Sequence, residues 1–274
     1  MPELPEVETL RRGLEKEAVG CCIHSVTIVN QKVLKGQSEA EFRDRAVGKR
    51  IMGADRRGKY LLLPLAVDNL SSPSFTLCLH LKMRGSIRLQ RADMALGRYG
   101  VLCLTLDQGR ALHYNDMWGW GEWRVVADTE PLPLPELGDE PLEPGWDVEA
   151  FVRHLAGRRV AIKTVLLDQK VVAGVGNIYA DEALFRAGIA PTRAAAGLVR
   201  QEGELLAEAI RQVLTEAVAL GGTQGDYVDL YGQAGQYVPL VYNRGGVACP
   251  RCAVPLKKMK LGGRGTTFCP VCQN

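Results

Sequence analysis

Between Pro5 and Gly20 the apolar residues at 7, 10 and 14 fall on one helical face, and the proline and glycine suit a first turn and a stop. This pattern predicts an opening helix over residues 6–18. The period then shortens. Residues 22–29, 50–53, 59–65, 75–81, 86–89, 101–106, 111–114 and 122–126 are short and apolar or alternating, with Gly, Pro, Asn or Asp between them. Eight such strands predict a β-sandwich. Beyond residue 147 the helical period returns over 148–156, 161–169 and 178–187, and in a long element, 198–220, with apolar residues at 206, 210, 213, 217 and 220. The intervening stretch 131–149 carries five prolines, which forbid a long helix and lack the donors of an inner strand, so it reads as a linker.

The far end adds a metal signature. Cys249-Pro-Arg-Cys252 and Cys269-Pro-Val-Cys272 are two C-x-x-C pairs separated by sixteen residues, the spacing of a zinc ribbon. Gly262 and Gly263 suit the turn of a hairpin between the pairs. Two disulfides or a redox pair are the alternatives, but a redox C-x-x-C normally sits on a βα unit and is not duplicated in a glycine-rich tail. A closed set of four thiolates implies one structural Zn2+. Cys21, Cys22, Cys78 and Cys103 have no ligand spacing and read as free, buried cysteines.

The length, 274 residues with 46% hydrophobic, suits a globular chain of about two domains. No signal peptide or membrane span is apparent, which places the chain in a reducing cytoplasm with no membrane partner. Net charge is only +3 but unevenly spread: residues 131–149 hold six acids and no base, and residues 241–274 hold six bases and no acid. A basic patch on a zinc module points to a polyanion.

The start of the chain carries candidate chemistry. Removal of Met1 would leave the secondary amine of Pro2 beside Glu3, a nucleophile next to an acid, and a terminal amine is neutral near pH 7 far more often than a lysine. Attack on a sugar carbon would give an iminium. The plain alternative is a processed end whose prolines and glutamates start a helix. Val172-Ala-Gly-Val-Gly-Asn177 is a glycine turn feeding a helix; it lacks the third glycine and the strand context of a dinucleotide fingerprint, and suits a phosphate grip or an ordinary connection. There is no His-Glu-x-x-His, Gly-x-Ser-x-Gly or Walker motif, and His24, His80, His113 and His154 are scattered and read as structural.

Taken together, Pro2-Glu-Leu-Pro-Glu-Val-Glu8, Arg57-Gly-Lys-Tyr60, His80-Leu-Lys-Met-Arg-Gly85, Leu167-Asp-Gln-Lys-Val-Val-Ala-Gly-Val-Gly-Asn-Ile-Tyr179 and Arg264 resemble the bacterial formamidopyrimidine-DNA glycosylase family. The resemblance implies an α+β chain: an N-terminal helix and β-sandwich over 1–130, the linker over 131–147, a helix-two-turn-helix DNA-binding domain over 148–222, a lesion-capping loop over 223–243 and a four-cysteine zinc finger over 244–274. It implies a monomer acting on damaged double-stranded DNA, nucleoid-associated in a bacterial cytoplasm. Its activity would be base excision repair of 8-oxoguanine and formamidopyrimidines, as DNA-formamidopyrimidine glycosylase and DNA-(apurinic or apyrimidinic site) lyase. By the same resemblance Pro2 is the nucleophile, Glu3 the acid and Lys59 a lyase-assisting phosphate contact. Glu6 and Lys163 lie near sugar and lesion, Asn177 and Arg264 grip phosphates, and Thr223 and Tyr242 contact the base. As plain alternatives, Lys59 is a strand-end charge, Lys163 a helix-surface charge and Glu6 a first-turn carboxylate favoured by the helix dipole.

One segment departs from that family. A methionine, an arginine and an aromatic residue enter the emptied base stack there, and Met83 matches the first. Where Pro-Arg-Arg-Phe is usual, this chain has Met117-Trp118-Gly119-Trp120, with glycine in the arginine's place. Trp120 can serve as the aromatic wedge and both tryptophans can stack on bases, or Met83, Trp118 and Trp120 are core residues. An endonuclease VIII-like enzyme for oxidised pyrimidines and a non-catalytic zinc-containing binder of damaged DNA are the other functional readings.

Overall fold

Leu4, Val7, Leu10 and Leu14 are all buried along one side of helix α1 (Leu4–Glu17), so the apolar stripe in the sequence is the stripe that packs. The computed structural model describes residues 1–67, 72–225 and 227–274. Asp226, inside the stretch read as a capping loop, lies outside the described residues. Two units form: residues 1–135 with 224–235, and residues 136–223 with 236–274.

The first unit is a sandwich of antiparallel sheets. One sheet has the order β1-β7-β8-β6, built from β1 (Ile23–Ile28), β6 (Ser86–Arg91), β7 (Gly100–Leu106) and β8 (Arg110–Asn115). The other has the order β2-β4-β5-β9, built from β2 (Arg50–Ile51), β4 (Tyr60–Ala66), β5 (Phe75–His80) and β9 (Glu122–Ala127), with β3 (Asp55–Arg57) also paired to β4. Strand alternation sends Leu61, Leu63 and Leu65 of β4 and Leu77 and Leu79 of β5 into the same core as Leu102, Leu104, Leu112 and Tyr114. The eight expected strands all form, and β3 is additional. Helix α2 (Glu39–Ala46) was not legible because only Phe42 and Ala46 of its eight residues are buried. Ser38 caps it by accepting from Glu41 N–H at 3.2 Å.

The tip of the expected capping loop belongs to this unit. Leu230 is fully buried against Gly13 of α1, Leu89 N–H donates to its carbonyl at 2.9 Å, and the Tyr231 hydroxyl donates to Glu17 at 2.7 Å.

The second unit is helical with a C-terminal hairpin: α3 (Val148–Ala156), α4 (Ile162–Leu166), α5 (Asn177–Ala187), α6 (Arg200–Ala219), then β10 (Lys257–Leu261) paired with β11 (Arg264–Phe268). Helix α4 stops short of the expected residue 169 because Gln169 turns back, accepting from Gly174 N–H at 2.9 Å and donating to the Val175 carbonyl at 2.7 Å. The later part of the proline-rich stretch is docked here. Gly138 N–H donates to Gln169, and a Cβ on Gly138 would meet the Lys170 carbonyl at 2.6 Å. Among the described residues no helix is long and apolar enough to cross a membrane.

Candidate functional site

Residues singled out in the sequence gather at separate places in the two units. In the first, Glu3 is the N-cap of α1, and its N–H donates to the Glu6 carboxylate at 2.8 Å. Both carboxylates are buried, at 3% and 5% exposure, which the helix N-terminus favours. Glu6 thus has the capping role and also lines a small cavity of about 60 Å³ with Pro2, Leu10, Arg84 and Tyr227. The Met1 amine donates to the Tyr227 hydroxyl. Burial pushes this amine's pKa below its ordinary value; Glu3 and Glu6 oppose the shift, and the charges of Arg84 and Lys59 add to it.

Lys59 follows Gly58 in the two-residue turn between β3 and β4, where Gly58 supplies φ +58°. Helix α1 holds that hairpin: Arg56 donates to Glu8 at 3.1 Å, and Arg11 donates to the Ala54 carbonyl at 3.1 Å. Lys59 is itself 6% exposed, and its charge also acts on His80. The His80 ring meets Tyr60 edge-on at 4.5 Å, and its Nδ1 accepts from Lys82 N–H at 2.9 Å. Burial first, then Lys82 and Lys59, push its pKa down to about 3, so the ring is neutral. Sequence reasoning gave no role to Arg84 or Tyr227, since neither has a neighbour of matching chemistry along the chain.

Trp118 and Trp120 are surface residues, 44% and 56% exposed, with ring centroids 4.8 Å apart. The core alternative for them is therefore excluded. Buried Asp116 holds the loop beneath, accepting from Trp118 N–H at 3.1 Å, Gly121 N–H at 2.8 Å and the Tyr114 hydroxyl at 3.0 Å. Arg84 lies over the Trp118 ring at 6.0 Å, and the neighbouring Met83 is half-buried. Gly119 suits the backbone: its φ is +63°, which side-chain-bearing residues rarely adopt, and a Cβ would fall 2.6 Å from Asn30 Nδ2, which would have to move.

In the second unit Lys163, Asn177 and Arg264, far apart in sequence, meet at the β10–β11 hairpin. Asn177 Nδ2 donates to the Gly265 carbonyl at 3.0 Å, while Arg264 beside it is exposed. Lys163 is not the helix-surface charge of the plain alternative. It is fully buried, donates to Gly265 O and Thr266 Oγ1 at 2.9 Å each, and pairs with Asp181 at 2.7 Å. A phosphate cannot reach it in this conformation. Burial raises the Asp181 pKa to about 6 against the pull of Lys163, and its carboxylate also accepts from Thr267 N–H at 3.0 Å.

The adjacent buried Glu182 accepts from the N–H groups of Leu240, Val241 and Tyr242 at 2.7, 2.9 and 2.8 Å. Tyr242 is thereby fixed through its backbone. The Thr223 hydroxyl is buried 2.7 Å from that of Tyr179. Neither acid was legible, because Asp181-Glu182 reads as the polar face of a helix until the fold encloses it.

The four C-terminal cysteines offer sulfurs all within 4.8 Å of one another, with Cys249–Cys272 at 3.9 Å and Cys252–Cys269 at 3.5 Å. Tetrahedral zinc with Zn–S bonds of about 2.3 Å sets sulfurs about 3.8 Å apart, so the set fits the metal. Arg251 N–H and Cys272 N–H point at Cys249 Sγ and Cys269 Sγ, as expected of knuckles that stabilise thiolates. The other four cysteines are free, and Cys21, Cys78 and Cys103 are buried.

Comparison with known proteins agrees with these three parts. Residues 1–123 match the formamidopyrimidine-DNA glycosylase N-terminal domain, residues 137–227 the formamidopyrimidine-DNA glycosylase H2TH domain, and residues 248–274 the zinc finger found in FPG and IleRS. A formamidopyrimidine-DNA glycosylase of Desulfitobacterium hafniense is 41% identical over 279 residues, covering 100% of both chains. The crystal structure of the MutM (Fpg) protein from Thermus thermophilus is 37% identical with a TM-score of 0.87, covering 99% of this chain and 98% of that one. Lactococcus lactis Fpg in complex with DNA containing N7-benzyl-Fapy-dG is 35% identical with a TM-score of 0.92, covering 100% of both chains. With similarity spanning the whole length in sequence and in structure, the chain belongs to the formamidopyrimidine-DNA glycosylase family.

Proposed function

We propose that this chain is a bifunctional DNA glycosylase and lyase of base excision repair that acts on damaged duplex DNA, excising oxidised purines through Pro2. One observation carries the site assignment: the chain's amine is enclosed beside two buried carboxylates and near Lys59, and its pKa is lowered by that enclosure. Removal of Met1 leaves the Pro2 nitrogen at the same cavity, where attack requires it to be neutral.

The damaged nucleotide must first leave the stack, since its C1′ is inaccessible within the duplex. The Pro2 nitrogen then bonds to C1′ as the C1′–base bond breaks, the proton lost from the nitrogen goes to the departing base, and Glu3 protonates the ring oxygen so that the C1′–O4′ bond opens to an iminium. Loss of a C2′ proton expels the 3′ phosphate, and a second elimination expels the 5′ phosphate. A one-nucleotide gap with phosphate at both ends remains, and water hydrolyses the iminium, releasing the sugar remnant as an aldehyde and freeing Pro2. Lys59 neutralises phosphate charge near the amine, and Trp118 and Trp120 stack in the space the nucleotide leaves. Asn177 and Arg264 hold phosphates on the hairpin of the second unit, whose fold the Cys249, Cys252, Cys269 and Cys272 zinc site secures. Zinc supplies no step of the reaction.

Borohydride reduction tests the reading. The Met-processed protein is expected to trap covalently on duplex containing 8-oxoguanine, and protein retaining Met1 is expected not to. Absence of trapping by the processed protein would instead support the non-catalytic binder. A set of purine and pyrimidine lesions assayed in parallel distinguishes this reading from the pyrimidine-specific one.

A further inference from the structure

On the proposed reaction two indoles fill the emptied stack, and the base opposite the extruded nucleotide keeps an unpaired hydrogen-bonding edge. Trp118, Gly119 and Trp120 offer that edge no fork of donors. One guanidinium stands beside them. Arg84 is exposed, lies 6.0 Å over the Trp118 ring and lines the cavity at Pro2. A guanidinium held over an indole face keeps its in-plane N–H groups available, and the stacking restricts where they point.

The two segments share one support. Arg84 belongs to the turn after β5, where Gly85 N–H donates to the Leu81 carbonyl at 3.0 Å and Lys82 N–H donates to His80 Nδ1 at 2.9 Å. A Cβ on Gly85 would fall 2.5 Å from the Tyr114 hydroxyl, and one on Gly121, at the end of the tryptophan loop, 1.8 Å from it. Tyr114 is fully buried and donates to Asp116, which accepts from Trp118 N–H. The Arg84 turn and the Trp118 loop thus pack on the same hydroxyl, which fixes the two backbones relative to each other.

We propose that Arg84 is the residue that reads the unpaired base of the opposite strand, and that it selects cytosine. This deepens the proposed reaction and rests on it. Two parallel N–H groups of a guanidinium need two adjacent acceptors. On the Watson–Crick edge cytosine alone offers them, at N3 and O2; adenine sets an amino group beside N1, and guanine and thymine place an N–H at the centre. The plain role for Arg84, a charge that attracts phosphate, gives no difference among opposite bases.

The test measures the affinity of the zinc-loaded, Met-processed protein for four duplexes that carry a tetrahydrofuran abasic analogue opposite C, A, G or T. No bond is made or broken on this probe, so reading of the opposite base is measured apart from catalysis. Wild type is expected to bind the cytosine duplex about fivefold more tightly than the adenine one, the scale of one or two net hydrogen bonds. Arg84→Lys keeps the charge and loses the fork, so it should bring the four affinities within about twofold of one another at an unchanged melting temperature. Trp118→Leu leaves the guanidinium and removes its platform, and should reduce the preference in the same direction. Equal affinities in wild type, or a cytosine preference that survives Arg84→Lys, overturns the assignment. Borohydride trapping on 8-oxoguanine duplex is read in parallel: trapping without an opposite-base preference sinks the role of Arg84 alone, and absence of trapping sinks the reaction.

Discussion

Lys163 and Asp181 form an ion pair at 2.7 Å with side chains 0% and 1% exposed, and both also bond to the β10–β11 hairpin. The pair ties α4 and α5 to the strand that begins with Arg264. Its burial makes it asymmetric to mutation: removing one partner leaves the other charge enclosed, at a cost of about 3 to 5 kcal/mol.

Lys163→Met is therefore expected to destabilise the protein by roughly that amount in urea unfolding and to weaken DNA binding through the displaced hairpin. A Lys163→Met/Asp181→Leu double variant should recover most of the stability. If the single variant is as stable as wild type, the pair does not hold the hairpin.

Arg264→Ala should weaken binding to every duplex by a similar factor and lower the slope of log affinity against log salt by about 1, as loss of one phosphate contact requires. The check is a salt series with two unrelated sequences. A change confined to one sequence would contradict a phosphate role.

Stripping zinc removes the centre of a small core in which Cys249 and Cys269 pack with Phe185, Val241 and Leu256. Trp118, Trp120 and Trp123 all lie in the first unit. Chelation is therefore expected to leave most tryptophan fluorescence unchanged while reducing DNA affinity at least tenfold. Normal binding by the stripped protein counts against the finger's assigned part.

Replacing both Trp118 and Trp120 with Ala should cost about 1 to 3 kcal/mol of lesion-DNA binding per lost stack, with little change in thermal stability because both rings are exposed. Gly119→Arg will not simply restore an arginine donor: the positive φ predicts a loss of about 1 to 3 kcal/mol in folding stability. Excision assays against each opposite base, with melting curves, measure both effects.

His80 gives a pH signature. Its folded pKa of about 3 lies below the ordinary 6.5, so its contribution to stability is fully present above pH 6.5 and is lost as pH falls towards 3. The slope is about 1.4 kcal/mol per pH unit. Asp181 acts in the opposite sense, since a pKa raised from 3.8 to about 6 makes its contribution fade as pH rises through 6. Urea midpoints of wild type and His80→Asn between pH 7 and 4 separate the two, and the variant should lose stability less steeply on acidification.

Local chemistry made much of this molecule legible along the chain. Strand alternation, the stripe at 7, 10 and 14 and the cysteine spacing each act over a few residues, and the structure uses them as the pattern implies. Tertiary structure alone decided that Lys163 is buried while Trp118 and Trp120 are exposed, and that the segment around Leu230 packs on α1. It also brought Arg84 and Tyr227 to the cavity at Pro2. Enclosure is the physical reason. Whether a lysine is a surface charge or half of an ion pair, and whether an amine keeps its proton, depends on groups that only folding places nearby.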